Sequence, residues 1–275
     1  MPAKVQGTPA IQNKAASVAE DDVVARAQEH LIAEVKVQPH PLIFVTISGA
    51  HLYGFPSRDS DFDLRGAHVA PARQILGLRQ VRETIENKLE RAGLEIETVT
   101  HDVRKYVRLL LKRNGYVLEQ LYSPLVVYTT PEHEELKRLG RGCVTPKHAL
   151  HYLGFAQNEW KLLEKRPSLK RLLYVYRVLL TGIQLMRTGE IEANLVRLNE
   201  QHELPQVPDL ISQKVSGTEW AEIAGDLSFH RAEFERLSGE LEAAAATSSL
   251  PETVSSEEEV NEFVIRIRLG HMGTN

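Results

Sequence analysis

The chain has 275 residues and a formal charge of −4, with 33 Lys and Arg against 37 Asp and Glu. Hydrophobic residues make up 42% and charged residues 25%; these are globular values and exclude wholesale disorder. The near-neutral balance argues against a dedicated nucleic-acid coat but leaves room for a local basic cleft.

The length suits one large domain or two modest ones. A single cysteine, Cys143, allows no internal disulfide and no multi-cysteine zinc site. Apolar runs are short, and even Leu172–Leu180 is interrupted by Arg177, so no membrane span is expected. Met1 to Asp22 lacks the apolar core of a secretory signal, and the expected setting is the cytoplasm.

Residues 1–18 are small and polar and read as a loose tail. From about Ala19 to Lys36 the pattern is helical, with Val23, Val24, Ala27, Leu31 and Ile32 on one side. His40 between two prolines ends that segment as a linker residue. Leu42–Ser48 is rich in branched and aromatic residues and predicts a buried strand. Phe62–Pro71 predicts a second strand, Val81–Glu86 a third and Leu94–His101 a fourth. Asp102 then caps a helix running through Val103 to Asn114. Ser123–Tyr128 reads as a short extended piece. From Pro131 the chain reads as helical, over roughly 146–166, 168–188 and 217–246. Ala243–Glu259 has the composition of a low-complexity linker, followed by a last helix at Glu258–Leu269. The whole is an α+β chain: an α/β first half and an all-α second half. The expected domain limits are a tail at 1–18, a first domain at 19–130, a helical domain at 131–242, a linker at 243–257 and a terminal helix and tail at 258–275.

The segment from Ser48 to Gly66 carries the chemistry. A strand ends at Ser48 and Gly49 follows at once; a turn-rich loop, Gly54–Ser60, leads to Asp61-Phe62-Asp63. Side chains alternate along a strand, so Asp61 and Asp63 project from one face. Two close carboxylates repel unless a cation lies between them, and hard divalent cations take such oxygen ligands. Glu97 on the fourth strand adds a third carboxylate if the strands are neighbours; Glu95 shares its face and is the alternative. Three carboxylates can hold two Mg²⁺ (or Mn²⁺) ions for in-line phosphoryl transfer. Gly49 permits close approach of the backbone to a phosphate.

The pattern Gly-x-x-x-Tyr-Gly…Ser-Asp-x-Asp-x-x-Gly resembles the polymerase-β-type nucleotidyltransferases. It is closest to the group of predicted nucleotidyltransferases whose catalytic module is followed by helices. The resemblance is strong over 42–122 and continues weakly to about 200 through Asn114, Glu119–Pro124 and Lys170–Arg177. It implies a mixed sheet flanked by helices, followed by an all-α C-terminal domain. It also implies that Gly49, with Ser48, Ala50 and Ser60, holds the phosphates of a nucleoside triphosphate such as ATP. Asp61 and Asp63 would bind Mg²⁺ or Mn²⁺, and Glu97 would bind the catalytic metal and activate the attacking hydroxyl. One departure stands out: the family's Gly-Ser is Gly49-Ala50 here, so a hydroxyl that commonly contacts phosphate is missing.

Cations support that reading. Arg104, Arg108 and Lys112 form an i, i+4, i+8 stripe suited to a triphosphate or to a solvated face. Lys170, Tyr174, Arg177 and Thr181 share one face of the 168–188 helix. Arg177 there is either a ligand for the triphosphate or acceptor, or half of a structural ion pair. Tyr53 reads as packing, and Cys143 has no histidine motif that would make it catalytic.

The expected activity is therefore transfer of a nucleoside monophosphate from an NTP to an acceptor hydroxyl, with pyrophosphate leaving. The acceptor class stays open between an RNA end, a small molecule and a protein hydroxyl. The alternatives are a non-catalytic nucleotide-binding or regulatory module with a degenerate site, and a metal-dependent phosphoesterase using the same carboxylates.

Overall fold

A helix over 27–36 (α1) leads into Leu42–Ile47 (β1), the first strand of a five-stranded mixed sheet. The computed structural model describes residues 27–78, 81–217, 223 and 226–271. The expected tail and the start of the first helix lie outside those residues. The other strands are β2 (Phe62–His68), β3 (Thr84–Arg91), β4 (Leu94–Asp102) and β5 (Val126–Thr129), in the order β3-β4-β2-β1-β5. β2 and β4 are parallel and the remaining pairs antiparallel. Between β1 and β2 lies a one-turn helix, α2 (Gly49–Tyr53), and between β2 and β3 another, α3 (Ala72–Leu76).

Alternation along the central strands assigns the two faces. Val45, Ile47, Phe62, Leu64 and Ile96 pack with Ala27, Leu31 and Val35 of α1. Phe44 and Ala67 point the other way, into a larger core shared with the C-terminal helices. Asp63 and Glu97 therefore lie on the face turned toward the helical half.

β3 begins three residues later than expected and continues to Arg91. It is a sheet edge with polar residues along most of its length, so alternation in hydrophobicity is weak there. Its hairpin turn is made by Ala92 and Gly93, both with positive φ, as a two-residue turn of this hand requires. β2 stops at His68 rather than Pro71.

Asp102 caps α4 (Val103–Leu111) by accepting from the Arg104 N–H at 3.0 Å, as expected. The helix ends earlier than expected, because Arg113 adopts φ +61° and Asn114 caps a new helix, α5 (Gly115–Tyr122). The helical half follows as α6 (Pro131–Arg141), α7 (Ala149–Lys165), α8 (Leu169–Thr188), α9 (Leu195–His202), α10 (Gln206–Ser216), α11 (Ser228–Ala246) and α12 (Glu257–Gly270). Much of the expected 217–226 start of α11 lies outside the described residues. α8 is buried on nearly every side after its first turn, which places it at the centre of the helical half.

Residues 247–256, read from composition as part of a linker, are fastened to the body. Ser248 donates to the Met186 carbonyl at 2.7 Å, and Ser256 donates to the Leu139 carbonyl at 2.8 Å. α12 returns to the sheet: Arg268 donates to the Ala70 carbonyl at 2.6 Å and bonds the capping Asp102. A single hydrophobic cluster runs from β1 through α4–α9 to α12. No helix among the described residues is long and apolar enough to cross a membrane.

Candidate metal and nucleotide site

The parallel register of β2 and β4 sets Asp63 beside Glu97. Asp61, two residues back on β2's face, completes a group of three carboxylates whose ligand atoms lie within 4.8 Å of one another. Glu95 stands apart and pairs with Lys88 at 3.0 Å. The donor set, carboxylate oxygens alone, fits a hard divalent cation.

Arg65 continues the same face of β2, and sequence reading missed it. Its Nη2 donates to Asp63 Oδ1 at 2.5 Å and to Glu97 Oε1 at 2.7 Å. Its Nη1 donates to the Leu64 and Glu97 carbonyls at 3.1 and 3.2 Å. The strict two-residue spacing Asp61, Asp63, Arg65 was the available signal. Burial nonetheless pushes the Asp63 carboxyl up to about 6; Arg65 opposes the rise, and Asp61 and Glu97 add to it.

The turn before α2 abuts this group. Ser48 precedes the helix with extended backbone, and its N–H donates to the Asp63 carbonyl at 2.8 Å. Gly49 has φ +63°, and its missing side chain leaves the space that the Asp63 carboxylate fills. Ala50 is half-buried on the same turn. His51 is buried and stacks on Phe62 at 4.2 Å between ring centroids; burial lowers its pKa to about 4, so it is neutral at physiological pH.

The loop that carries Asp61 is held from two sides. The Ser57 N–H donates to Ser60 Oγ at 2.9 Å, closing the turn just before Asp61. Lys214 of α10, buried, donates to Ser57 Oγ at 2.7 Å. Gly54 lies against Asn194, the capping residue of α9. The helical half thus braces the loop between α2 and β2.

An open cavity of about 360 Å³ lies beside the carboxylates, with Ser48, Gly49, Asp63 and Arg65 at one end. Tyr53, Tyr116 and Tyr174 supply aromatic surface, and Asn114, Gln120 and His101 supply polar groups. Of these, Tyr116 carried no site signal in the sequence, Asn114 and Gln120 entered only within the stretches of weaker resemblance because α5 was not foreseen, and His101 was read only as the end of the fourth strand. From α8, Tyr174 lines the cavity and Lys170 stands close enough to lower the Asp63 carboxyl.

Other sequence candidates lie elsewhere. Arg177 is fully buried, with its guanidinium 3.9 Å from the Tyr53 ring centroid and Nη1 2.6 Å from Glu119 Oε2. It sits behind the cavity wall as half of an ion pair. Burial raises the Glu119 carboxyl and Arg177 pulls it back; burial likewise opposes the guanidinium charge, and Glu119 holds it. Arg108 is exposed and 3.6 Å from Glu83, and Lys112 is exposed past the end of α4. The structure does not bring Arg108 or Lys112 into the cavity lining.

The family model RlaP, an RNA repair pathway DNA polymerase beta family, matches residues 23–266. The chain belongs to this family. Its membership places it among the polymerase-β-type nucleotidyltransferases, and the mixed sheet followed by helices is the architecture expected of it. Two curated relatives are similar over 154 residues. An uncharacterized Methanocaldococcus jannaschii protein, MJ0002, is 33% identical over 55% of this chain and 63% of its own length. An uncharacterized Bacillus subtilis protein, YcgL, is 29% identical over 54% of this chain and 58% of its own. The matched region thus spans less than two thirds of either relative. A nucleotidyltransferase-like protein from Exiguobacterium sibiricum aligns in structure over 90% of this chain and 88% of its own, with a TM-score of 0.33 and 14% identity.

Proposed function

We propose that this RlaP-family protein is a metal-dependent nucleotidyltransferase that transfers a nucleoside monophosphate from an NTP, ATP being the first candidate, to an acceptor hydroxyl. The observation that carries the reading is the convergence of Asp61, Asp63 and Glu97, with Asp63 lining a cavity, in a chain of this family. Asp61, Asp63 and Glu97 would hold Mg²⁺ or Mn²⁺, which would supply Lewis-acid stabilisation of charge on the reacting phosphates. The acceptor oxygen attacks the α-phosphorus, the α–β bridging bond breaks, and pyrophosphate departs with the bonding pair. Glu97 receives the proton of the attacking hydroxyl.

The other residues are proposed to act as follows. Ser48, Gly49, Ala50 and Ser60 border the phosphates, with backbone N–H groups standing in for the hydroxyl absent at Ala50. Lys170 supplies a cation from α8. Tyr174 and Tyr116 offer ring faces to a base, while buried Tyr53 packs behind them. Arg177 acts behind Tyr53, and Arg108 and Lys112 act as outlying positive charge. The family's description names RNA repair, so an RNA end is the acceptor we favour over a small molecule or a protein hydroxyl. The cytoplasm is the proposed setting.

The bridging position of Arg65 supports a second reading, a nucleotide-binding module whose carboxylates are already neutralised. One experiment decides. Each α-labelled NTP is incubated with Mg²⁺ or Mn²⁺ and candidate acceptors, including total RNA, and label transfer and pyrophosphate are measured. Transfer that disappears in Asp61→Asn/Asp63→Asn supports the enzyme. Absence of transfer with every NTP favours the module, and transfer that survives the double substitution overturns the site.

A further inference from the structure

Arg65 occupies an unusual position for a site read as binding cations. One nitrogen, Nη2, spans two of the three carboxylates, at 2.5 Å from Asp63 and 2.7 Å from Glu97. Charge-assisted bonds of this length are strong, and they neutralise a group that would otherwise repel itself. The same carboxylate oxygens cannot be fully engaged with Arg65 and with a divalent ion at once.

We infer that Arg65 is the built-in counter-cation of the metal-free site, and that it exchanges the two carboxylates for the phosphates of the nucleotide when metal and nucleotide bind together. The inference rests on the metal-dependent reading above. Three features of Arg65 carry it. Its Nη2 holds only side-chain carboxylates, the groups a metal would claim. Its Nη1 holds only backbone carbonyls, Leu64 at 3.1 Å and Glu97 at 3.2 Å, so the guanidinium keeps an anchor while Nη2 lets go. It lines the cavity together with Ser48 and Gly49, where released Nη2 would meet an anionic ligand rather than water. A guanidinium suits phosphate oxygens as well as it suits carboxylates.

The exchange makes metal and nucleotide binding interdependent. A metal ion alone must displace Arg65 with nothing to receive it. A metal–nucleotide complex brings its own acceptor oxygens. The site then discriminates against free metal and favours the complex, and the coupling is reciprocal.

The test measures Mn²⁺ binding by electron paramagnetic resonance and calorimetry, without catalysis. Wild type, Arg65→Met and Arg65→Lys are compared with Mn²⁺ alone and with Mn²⁺ plus an α,β-methylene nucleotide analogue. In wild type the analogue should tighten Mn²⁺ binding at least tenfold. Arg65→Met should bind Mn²⁺ alone at least tenfold more tightly than wild type and lose most of the tightening by the analogue. Its metal-free melting midpoint should drop and recover on adding Mn²⁺. Arg65→Lys, which keeps the charge but not the fork, should fall between the two and serves if the methionine variant does not fold. Equal Mn²⁺ affinity in wild type and the folded variants, or weaker binding in the variants, overturns the role of Arg65 and leaves the metal reading standing. Absence of Mn²⁺ binding in every protein, with and without analogue, overturns the metal reading and this inference with it.

Discussion

The Asp63 carboxylate fills the space where a side chain on Gly49 would begin: a Cβ there would lie 1.9 Å from Asp63 Oδ2. Gly49 also has φ +63°, a conformation that costs an L-residue about 1 kcal/mol. The two constraints act together, so Gly49→Ala should move Asp63 away from Asp61 and Glu97 rather than shift the turn alone. The expected result is at least a tenfold loss of Mn²⁺ affinity with a stability loss of about 1–3 kcal/mol. A metal titration alongside urea denaturation checks both. Unchanged Mn²⁺ binding in a folded Gly49→Ala protein would remove Asp63 from the proposed metal site.

That relationship also marks where the sequence was legible. Gly49 was read as room for a phosphate; in the fold its first occupant is a carboxylate of the next strand. Asp61, Asp63 and Glu97 were readable because strand alternation is a local rule and because β2 and β4 each carry a clear strand pattern. The same alternation reaches Arg65, but an arginine after two acids gives no cue that it folds back onto them. α5 was invisible because its caps come from Arg113 and Asn114, where a single positive φ divides what looks like one amphipathic helix. The C-terminal braces on the Asp61 loop, Lys214 and Asn194, come from residues over 130 positions away. No local pattern encodes such a contact.

Lys214 should act as a positioning residue. Its buried ammonium donates to Ser57, and Ser57 is bonded to Ser60, the residue before Asp61. Lys214→Met keeps the apolar stem and removes the donor, at a cost of about 1 kcal/mol for the lost hydrogen bond, since Ser57 Oγ keeps its contact with Ser60 Oγ at 3.2 Å. The loop should loosen, and the proposed nucleotide transfer should fall at least tenfold while the far-ultraviolet spectrum stays that of wild type. Ser57→Ala should reproduce the loss, because it removes the acceptor of the same bond. Wild-type activity in both variants would show that Asp61 needs no brace from α10.

The Arg177–Glu119 pair should dominate stability behind the cavity. Both side chains are essentially inaccessible to water, and the Tyr53 ring covers the guanidinium. Removing one partner strands a buried charge, at about 3–5 kcal/mol. Arg177→Met and Glu119→Gln should each lower the urea midpoint strongly. The double variant should be less destabilised than the sum of the two, since neither charge is then left alone. Additive losses in that cycle would mean that the two side chains do not stabilise each other.

Four histidines should make the protein acid-labile. Burial lowers the pKa of His51, His68, His101 and His148 from 6.5 to about 4 each. In the unfolded chain each takes a proton as pH falls through about 6.5, whereas in the folded chain each waits until about 4. Between those values the unfolded state binds more protons, so stability declines as pH falls. Each group contributes at most about 1.4 kcal/mol per pH unit while only its unfolded form is protonated. Stability should therefore be flat in this respect above about pH 7 and drop steeply from pH 6.5 to 4. His51 offers the cleanest single removal, because its ring stacks on Phe62 and a phenyl ring preserves that contact. His51→Phe should leave stability at pH 7.5 within about 1 kcal/mol of wild type and make the acid slope shallower. Denaturation midpoints measured at half-unit intervals from pH 8 to 4 test this, and an unchanged slope in His51→Phe would mean that His51 is not held neutral in the folded protein.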